Sequence, residues 1–155
     1  NKNFPENWRL IIFGSGEEFE KIKRLKNYKV EIKEYVNREE LERMTVDIPF
    51  ALVSLHSDIL FEGFPGKTFD YLKMNKILIN FSNKNSVVSK FVDEYGLGLN
   101  IDAAESLKAT FNFSLLQDFE VLKKIEENIK KFNKKNNSPK IVAEKYIKLV
   151  STFST

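Results

Sequence analysis

Two carboxylates, Glu62 and Asp70, stand with seven residues between them and Lys67 in the interval, inside the run Asp58 to Lys73, DILFEGFPGKTFDYLK. The run follows an apolar, strand-like stretch, Phe50 to Leu55, passes through Gly63, Pro65 and Gly66, and then takes on helical character. Strand, loop, helix is the order that builds anion sites. Pro65 suits the first helical turn, where a missing N–H costs nothing, and Gly63 and Gly66 let backbone amides approach a ligand closely. Open N–H groups at the helix start, the positive end of the helix dipole and the Lys67 ammonium together suit a phosphate or pyrophosphate. Carboxylates do not bind phosphate, so Glu62 and Asp70 suit the hydroxyl groups of a ribose or a sugar. The same residues also read as a helix start behind a Gly/Pro loop, with solvated charges.

On Glu62-Gly63-Phe64-Pro65-Gly66-Lys67-Thr68-Phe69-Asp70 the chain resembles the nucleotide-sugar-binding signature of the GT-B glycosyltransferases of glycosyltransferase family 4 (group 1). With Pro65, Lys67 and Phe69-Asp70-Tyr71-Leu72 it is similar to the subgroup that makes bacterial capsule, O-antigen and exopolysaccharide. Asp70 stands where that family has Glu, a carboxylate one methylene longer. The resemblance implies an α/β fold, a Rossmann-like, mainly parallel sheet flanked by helices, with C-terminal helices packed on it. It also implies a retaining transfer of a sugar from a UDP- or GDP-linked donor to a glycan or lipid-linked acceptor, with no cofactor and no metal. In such enzymes the helix dipole and basic side chains stabilise the leaving diphosphate.

By the same resemblance Glu62 is the catalytic carboxylate that meets the donor sugar. Lys67 and the amides near Gly63 and Phe64, with Thr68 beside them, take the phosphates, and Asp70 holds the ribose. Gly14 and Gly16 border the donor pocket, while Val36, Asn37 and Leu41 belong to the segment that meets the nucleotide base. The resemblance covers roughly Pro5 to Asp102; the helical tail matches in style alone.

Length and composition set the frame. The 155 residues, 42% hydrophobic and 13% aromatic, are enough for one core, and the expectation is a single nucleotide-sugar-binding domain over 1–155. With no cysteine and one histidine, a disulfide framework, a thiolate metal site and a Cys/His zinc site are excluded. No run approaches the roughly 18 apolar residues of a membrane span, and no signal peptide opens the chain, so it reads as soluble and cytoplasmic. A net charge of +3 is too mild to argue for nucleic acid, and no interleaved aromatic-basic pattern accompanies it.

Strand-like and helix-like segments alternate, the mark of an α/β domain with a mainly parallel sheet. Strands are expected at Trp8 to Phe13, Tyr28 to Val36, Phe50 to Leu55, Ile77 to Phe81 and Gly96 to Ile101. Helices are expected over Glu17 to Lys26, with Phe19, Ile22 and Leu25 on one face, and from Asn37 to about Met44. Asn37 and Glu40 form a capping-box pattern, and Ser86 caps a helix carrying Val88, Phe91 and Val92. Ser114 to Gln117 also reads as a capping box, opening a helix with a stripe of Leu116, Phe119, Leu122, Ile125, Ile129 and Phe132. Asn136-Asn137 end it, and Ser138-Pro139 start another with Ile141, Val142, Tyr146, Ile147 and Val150.

Other residues invite chemistry and carry less. Gly14-Ser15-Gly16 begins like a dinucleotide fingerprint, but Phe19 occupies the place of the third glycine, and Glu17 and Glu18 would repel a pyrophosphate. Ser82 to Ser86 offers polar side chains and Lys84 where the resembled family has a glycine turn. His56, near Ser54, Ser57 and Asp58, lacks a nucleophile elbow and reads as an ordinary surface histidine or, less favoured, a strand-end histidine near the donor pocket. Lys130, Lys131, Lys134 and Lys135 form a basic patch, a solvated face or a contact with an anionic membrane that bears a lipid-linked acceptor.

A GT-B enzyme also has an N-terminal acceptor domain and a further strand opening its C-terminal domain. Neither has a counterpart in these residues, so the expectation is a donor-binding part of a longer enzyme, partnered by that acceptor domain. Two alternatives stay open: a nucleotide-sugar epimerase of the same architecture, and a non-catalytic subunit that keeps the fold for interaction alone.

Overall fold

A computed structural model describes residues 7–24, 29–61, 63–103, 113–136, and 143, 144 and 147. The chain divides into two compact units, Asn1–Asp47 and Ile48–Thr155. The fold is α/β and Rossmann-like, with parallel strands in two sheets flanked by helices.

The first unit holds β1 (Leu10–Gly14), α1 (Phe19–Lys23), β2 (Val30–Glu34) and α2 (Arg38–Met44). β1 and β2 pair in parallel, from Leu10 opposite Val30 to Gly14 opposite Glu34. Gly16 turns the chain out of β1 at φ 114°, a conformation L side chains rarely adopt, and its carbonyl accepts the Phe19 N–H at 3.0 Å. α1 is shorter than its apolar spacing implies, because Glu18 caps it in a helical conformation without a side-chain bond and Arg24 closes it. Leu25, the third residue of the expected stripe, lies outside the described residues. α2 starts where its capping box predicts: the Asn37 side-chain oxygen accepts the Glu40 N–H at 2.9 Å.

The second unit runs β3 (Phe50–Ser54), α3 (Gly66–Lys73), β4 (Ile77–Ser82), α4 (Val87–Tyr95), β5 (Gly98–Asp102), a 3-10 turn at Phe113–Leu116 and α5 (Phe119–Asn136). The strands lie in the order β3-β4-β5, all parallel, with Phe50 opposite Ile77 and Leu78 opposite Gly98. Each connection is a helix, as parallel neighbours require. Val53, Leu72, Ile77, Leu78, Val88, Val92, Leu97, Ile125, Ile129 and Phe132 form the core. Around it, Phe91 on α4 meets Phe64, Tyr95 and Phe132 at ring-centroid distances of 4.9, 5.2 and 5.4 Å.

Two expectations need correction. Gly96 is not part of a strand: at φ 60° it ends α4 in the left-handed conformation, and its N–H returns to the Asp93 carbonyl at 3.2 Å. Ser114 does not open the long helix. Its carbonyl closes the 3-10 turn by accepting from Gln117, and Asp118 caps α5 instead, its Oδ1 accepting from Glu120 and Val121 at 3.0 and 3.2 Å. Phe119 accordingly sits in the first turn, 71% exposed, while Leu116 is buried from the 3-10 turn. The helix expected after Ser138 lies outside the described residues, except that 143, 144 and 147 are helical.

α5 also finishes the other helices. Asn128 donates to the Gly96 carbonyl at 3.2 Å and Asn133 to the Leu72 carbonyl at 2.6 Å, so two asparagines of one helix serve carbonyls at the ends of α4 and α3.

Candidate functional site

α3 is the helix onto which the signature residues fold, and its first turn differs from those of its neighbours. Ser86 caps α4 by accepting from Ser89 N–H, and Asp118 caps α5. α3 has Pro65 as N-cap, in an extended conformation at φ −61° and ψ 123°, and no side-chain cap bond. The one early bond is Thr68 N–H to the Pro65 carbonyl at 2.9 Å. Among the described residues, the N–H groups of Gly66 and Lys67 meet no acceptor. Two open donors thus stand at the positive end of an eight-residue helix.

The expected site residues fall unevenly around it. Lys67 is exposed and makes no ion pair among the described residues, which leaves its ammonium for a ligand. Thr68 faces inward: it is fully buried, and its hydroxyl has no hydrogen-bond partner among the described residues. Gly63 and Phe64 are half-buried. The Phe64 ring stacks on Phe69 at 5.0 Å and 24° and meets Phe91 edge-on at 4.9 Å, so its side chain anchors the loop and only its backbone can serve a ligand. Asp70 is half-buried, one turn into α3. Burial first, and the Asp70 carboxylate second, push the neighbouring Tyr71 phenol above its ordinary range. Glu62 lies outside the described residues.

Gly14, Gly16, Val36, Asn37 and Leu41 belong to the first unit. Gly14 closes β1, and a Cβ there would touch nothing within 4 Å, so packing does not demand glycine. Gly16 is exposed. Val36 is half-buried just before α2, and Leu41 is half-buried within it. The Asn37 side-chain oxygen is engaged by its own helix cap, which leaves the amide nitrogen as its remaining polar atom.

The strand after α3 carries a polar cluster that sequence reading passed over. Asn80, Ser82, Ser86 and Ser89 are all buried. The Asn80 amide nitrogen lies 2.8 Å from Ser82 Oγ, 3.0 Å from Ser89 Oγ and 2.8 Å from Asn100 Oδ1, and the Ser82 hydroxyl is 2.9 Å from those of Ser86 and Ser89. Asn80 Oδ1 has no partner among the described residues. The available signal was two polar residues at alternate positions, Asn80 and Ser82, in an otherwise apolar strand whose inward face they share.

His56 is an ordinary surface group. Its imidazole is exposed, with Nδ1 3.4 Å from Asp58 Oδ2, and the Ser57 hydroxyl points to Asp58 Oδ1 at 3.3 Å rather than to the ring. Lys130, Lys131, Lys134 and Lys135 are all exposed on α5. No helix among the described residues is long and apolar enough to cross a membrane.

Comparison with known proteins gives no match: no family model, no curated protein and no solved structure is significantly similar to the chain.

Proposed function

We propose that the second unit binds the diphosphate of a UDP- or GDP-linked sugar at the N-terminus of α3, and that the chain is the donor-binding part of a retaining glycosyltransferase acting in bacterial surface-polysaccharide synthesis. One observation carries the reading: among the described residues, the N–H groups of Gly66 and Lys67 meet no acceptor and the Lys67 ammonium makes no ion pair, on a helix with no side-chain cap. In this reading the amides and Lys67 hold the phosphates, Asp70 meets the ribose, and Glu62 meets the donor sugar at the reacting centre. The acceptor is a glycan or a lipid-linked sugar held by a partner domain. The exposed Lys130, Lys131, Lys134 and Lys135 would draw such a protein to an anionic membrane surface without spanning it.

The test is ligand-observed NMR with UDP, GDP, ADP and CMP on the natural chain, on Lys67→Ala and on Asp70→Ala. Selective binding of one diphosphate, weakened in both variants, supports the reading and names the nucleotide. A natural chain that binds none of the four counts against it and favours an interaction-only role.

A further inference from the structure

The segment that leads into the candidate site is fastened to the turn between β4 and α4 and to the first residue of α4. Asn83, the first residue after β4, donates its side-chain amide to the Ser57 carbonyl at 3.1 Å. Val87, the first residue of α4, donates its N–H to the Leu60 carbonyl at 2.9 Å. Asn83 is itself held from three sides. Its carbonyl accepts from Ser86 N–H and from the Ser89 hydroxyl, each at 2.9 Å, and its Oδ1 accepts from Asn85 N–H at 2.9 Å. Ser86 and Ser89 are buried members of the polar cluster around Asn80 and Ser82. A rigid hydrogen-bonded block therefore reaches out through one amide group to grip the chain a few residues before Gly63. Downstream, Phe64 rests on Phe69 of α3 and on Phe91 of α4, joining the loop to both helices.

From this we infer that Asn83 is a positioning residue: its amide fixes the segment from Ser57 to Leu60 and thereby sets the approach to the open N-terminus of α3. The inference rests on the diphosphate reading given above for its ligand, and on the contacts alone for its mechanics. It also gives the buried serines a task beyond packing. Hydroxyls that bind the loop's anchor and one another fix its direction, which an apolar filling of the same volume does not do.

The deciding variant is Asn83→Asp. It keeps the acceptor for Asn85 N–H and removes the donor that meets Ser57, setting a carboxylate against that carbonyl. The new negative charge lies near the start of α4, where it favours the helix dipole, so overall stability is expected to hold. Amide exchange of Ile59, bonded to the His56 carbonyl, and of Val87, bonded to Leu60, reports the loop without any ligand. Both are expected to exchange about fivefold faster, and diphosphate affinity to fall by about the same factor. Asn133→Ala, which removes the bond from α5 to the far end of α3, is the control for general destabilisation and should alter neither readout. Unchanged exchange at Ile59 and Val87 overturns the inference. So does faster exchange with undiminished diphosphate affinity. Faster exchange in a chain whose natural form binds no diphosphate upholds the mechanical role of Asn83 and removes the diphosphate reading instead.

Discussion

The side-chain amide of Asn133 donates to the carbonyl oxygen of Leu72 at 2.6 Å, joining residues 61 positions apart and ending α3 with a group from α5. The same amide lies 3.0 Å from Asn75 Oδ1, and Asn75 turns the chain with φ 56°. Replacement by alanine withdraws a donor from a partly buried carbonyl. Asn133→Ala is expected to lower unfolding free energy by about 1–2 kcal/mol, read from urea denaturation, with the denaturant slope unchanged.

The Asn80 cluster should behave as a unit. Asn80→Leu leaves Asn100 Oδ1 and the hydroxyls of Ser82 and Ser89 without their amide donor, at an expected cost of about 1–3 kcal/mol. Ser89→Ala breaks the same network from the α4 side. The double variant should cost less than the two singles added together, by at least about 0.5 kcal/mol, because each loss removes part of what the other leaves unpaired. Strict additivity in denaturation would show that the contacts are independent.

The uncapped start of α3 separates stability from binding. Pro65 already has the extended backbone of an N-cap, so Pro65→Asp supplies the missing side-chain acceptor without a backbone change. The gain of about 1 kcal/mol from capping opposes about 0.4–1 kcal/mol from lost proline rigidity in the unfolded chain, so stability should move by less than about 1 kcal/mol. A carboxylate on the open N–H groups should nevertheless cut diphosphate affinity at least about tenfold. An NMR titration showing equal affinity would place the anion elsewhere.

Tyr71 makes stability fall at alkaline pH. Its phenol is raised from 10.0 in the folded chain, by burial and then by Asp70, so the unfolded chain loses that proton first. The contribution is complete below pH 10.0 and declines as pH rises from there through the folded value. Urea midpoints at pH 8 and pH 11 should therefore differ more for the natural chain than for Tyr71→Phe. Equal differences would show that Tyr71 does not contribute to the alkaline loss.

Much of the fold is legible because local signals and tertiary needs agree. Asn37 with Glu40, and Ser86 before Val88, start helices where their hydrogen-bonding side chains suggest. The apolar runs at Phe50 and Ile77 are neighbouring strands of a parallel sheet, the Ile77 run largely buried and the Phe50 run burying Val53, and both read as continuous hydrophobic stretches. Misreadings occur where two local signals compete. Ser114 and Asp118 both resemble caps, and the one followed by uninterrupted helical spacing is used. Gly96 and Gly98 flank a single apolar residue, Leu97, and only the three-dimensional path distinguishes a helix end from a strand start. The candidate site was legible as a stretch, Gly63 to Asp70, and as a chemistry of open amides and one lysine. Its supports were not legible, because Asn83 grips Ser57 across 26 positions and no periodicity links the two.

The sequential strand order β3-β4-β5 also has a kinetic meaning. Each strand pairs with the next one made, so every ladder closes over a short span, whereas α5 must return to α3 from far along the chain. Loop closure is least costly for near neighbours, which favours the three strands with α3 and α4 as the early assembly. On a ribosome that assembly can form while α5 is still in the exit tunnel. The N-terminus of α3, where the Thr68 N–H meets Pro65 and the Phe64 ring meets Phe69 and Phe91, would then be shaped before the helix that closes the opposite end has docked.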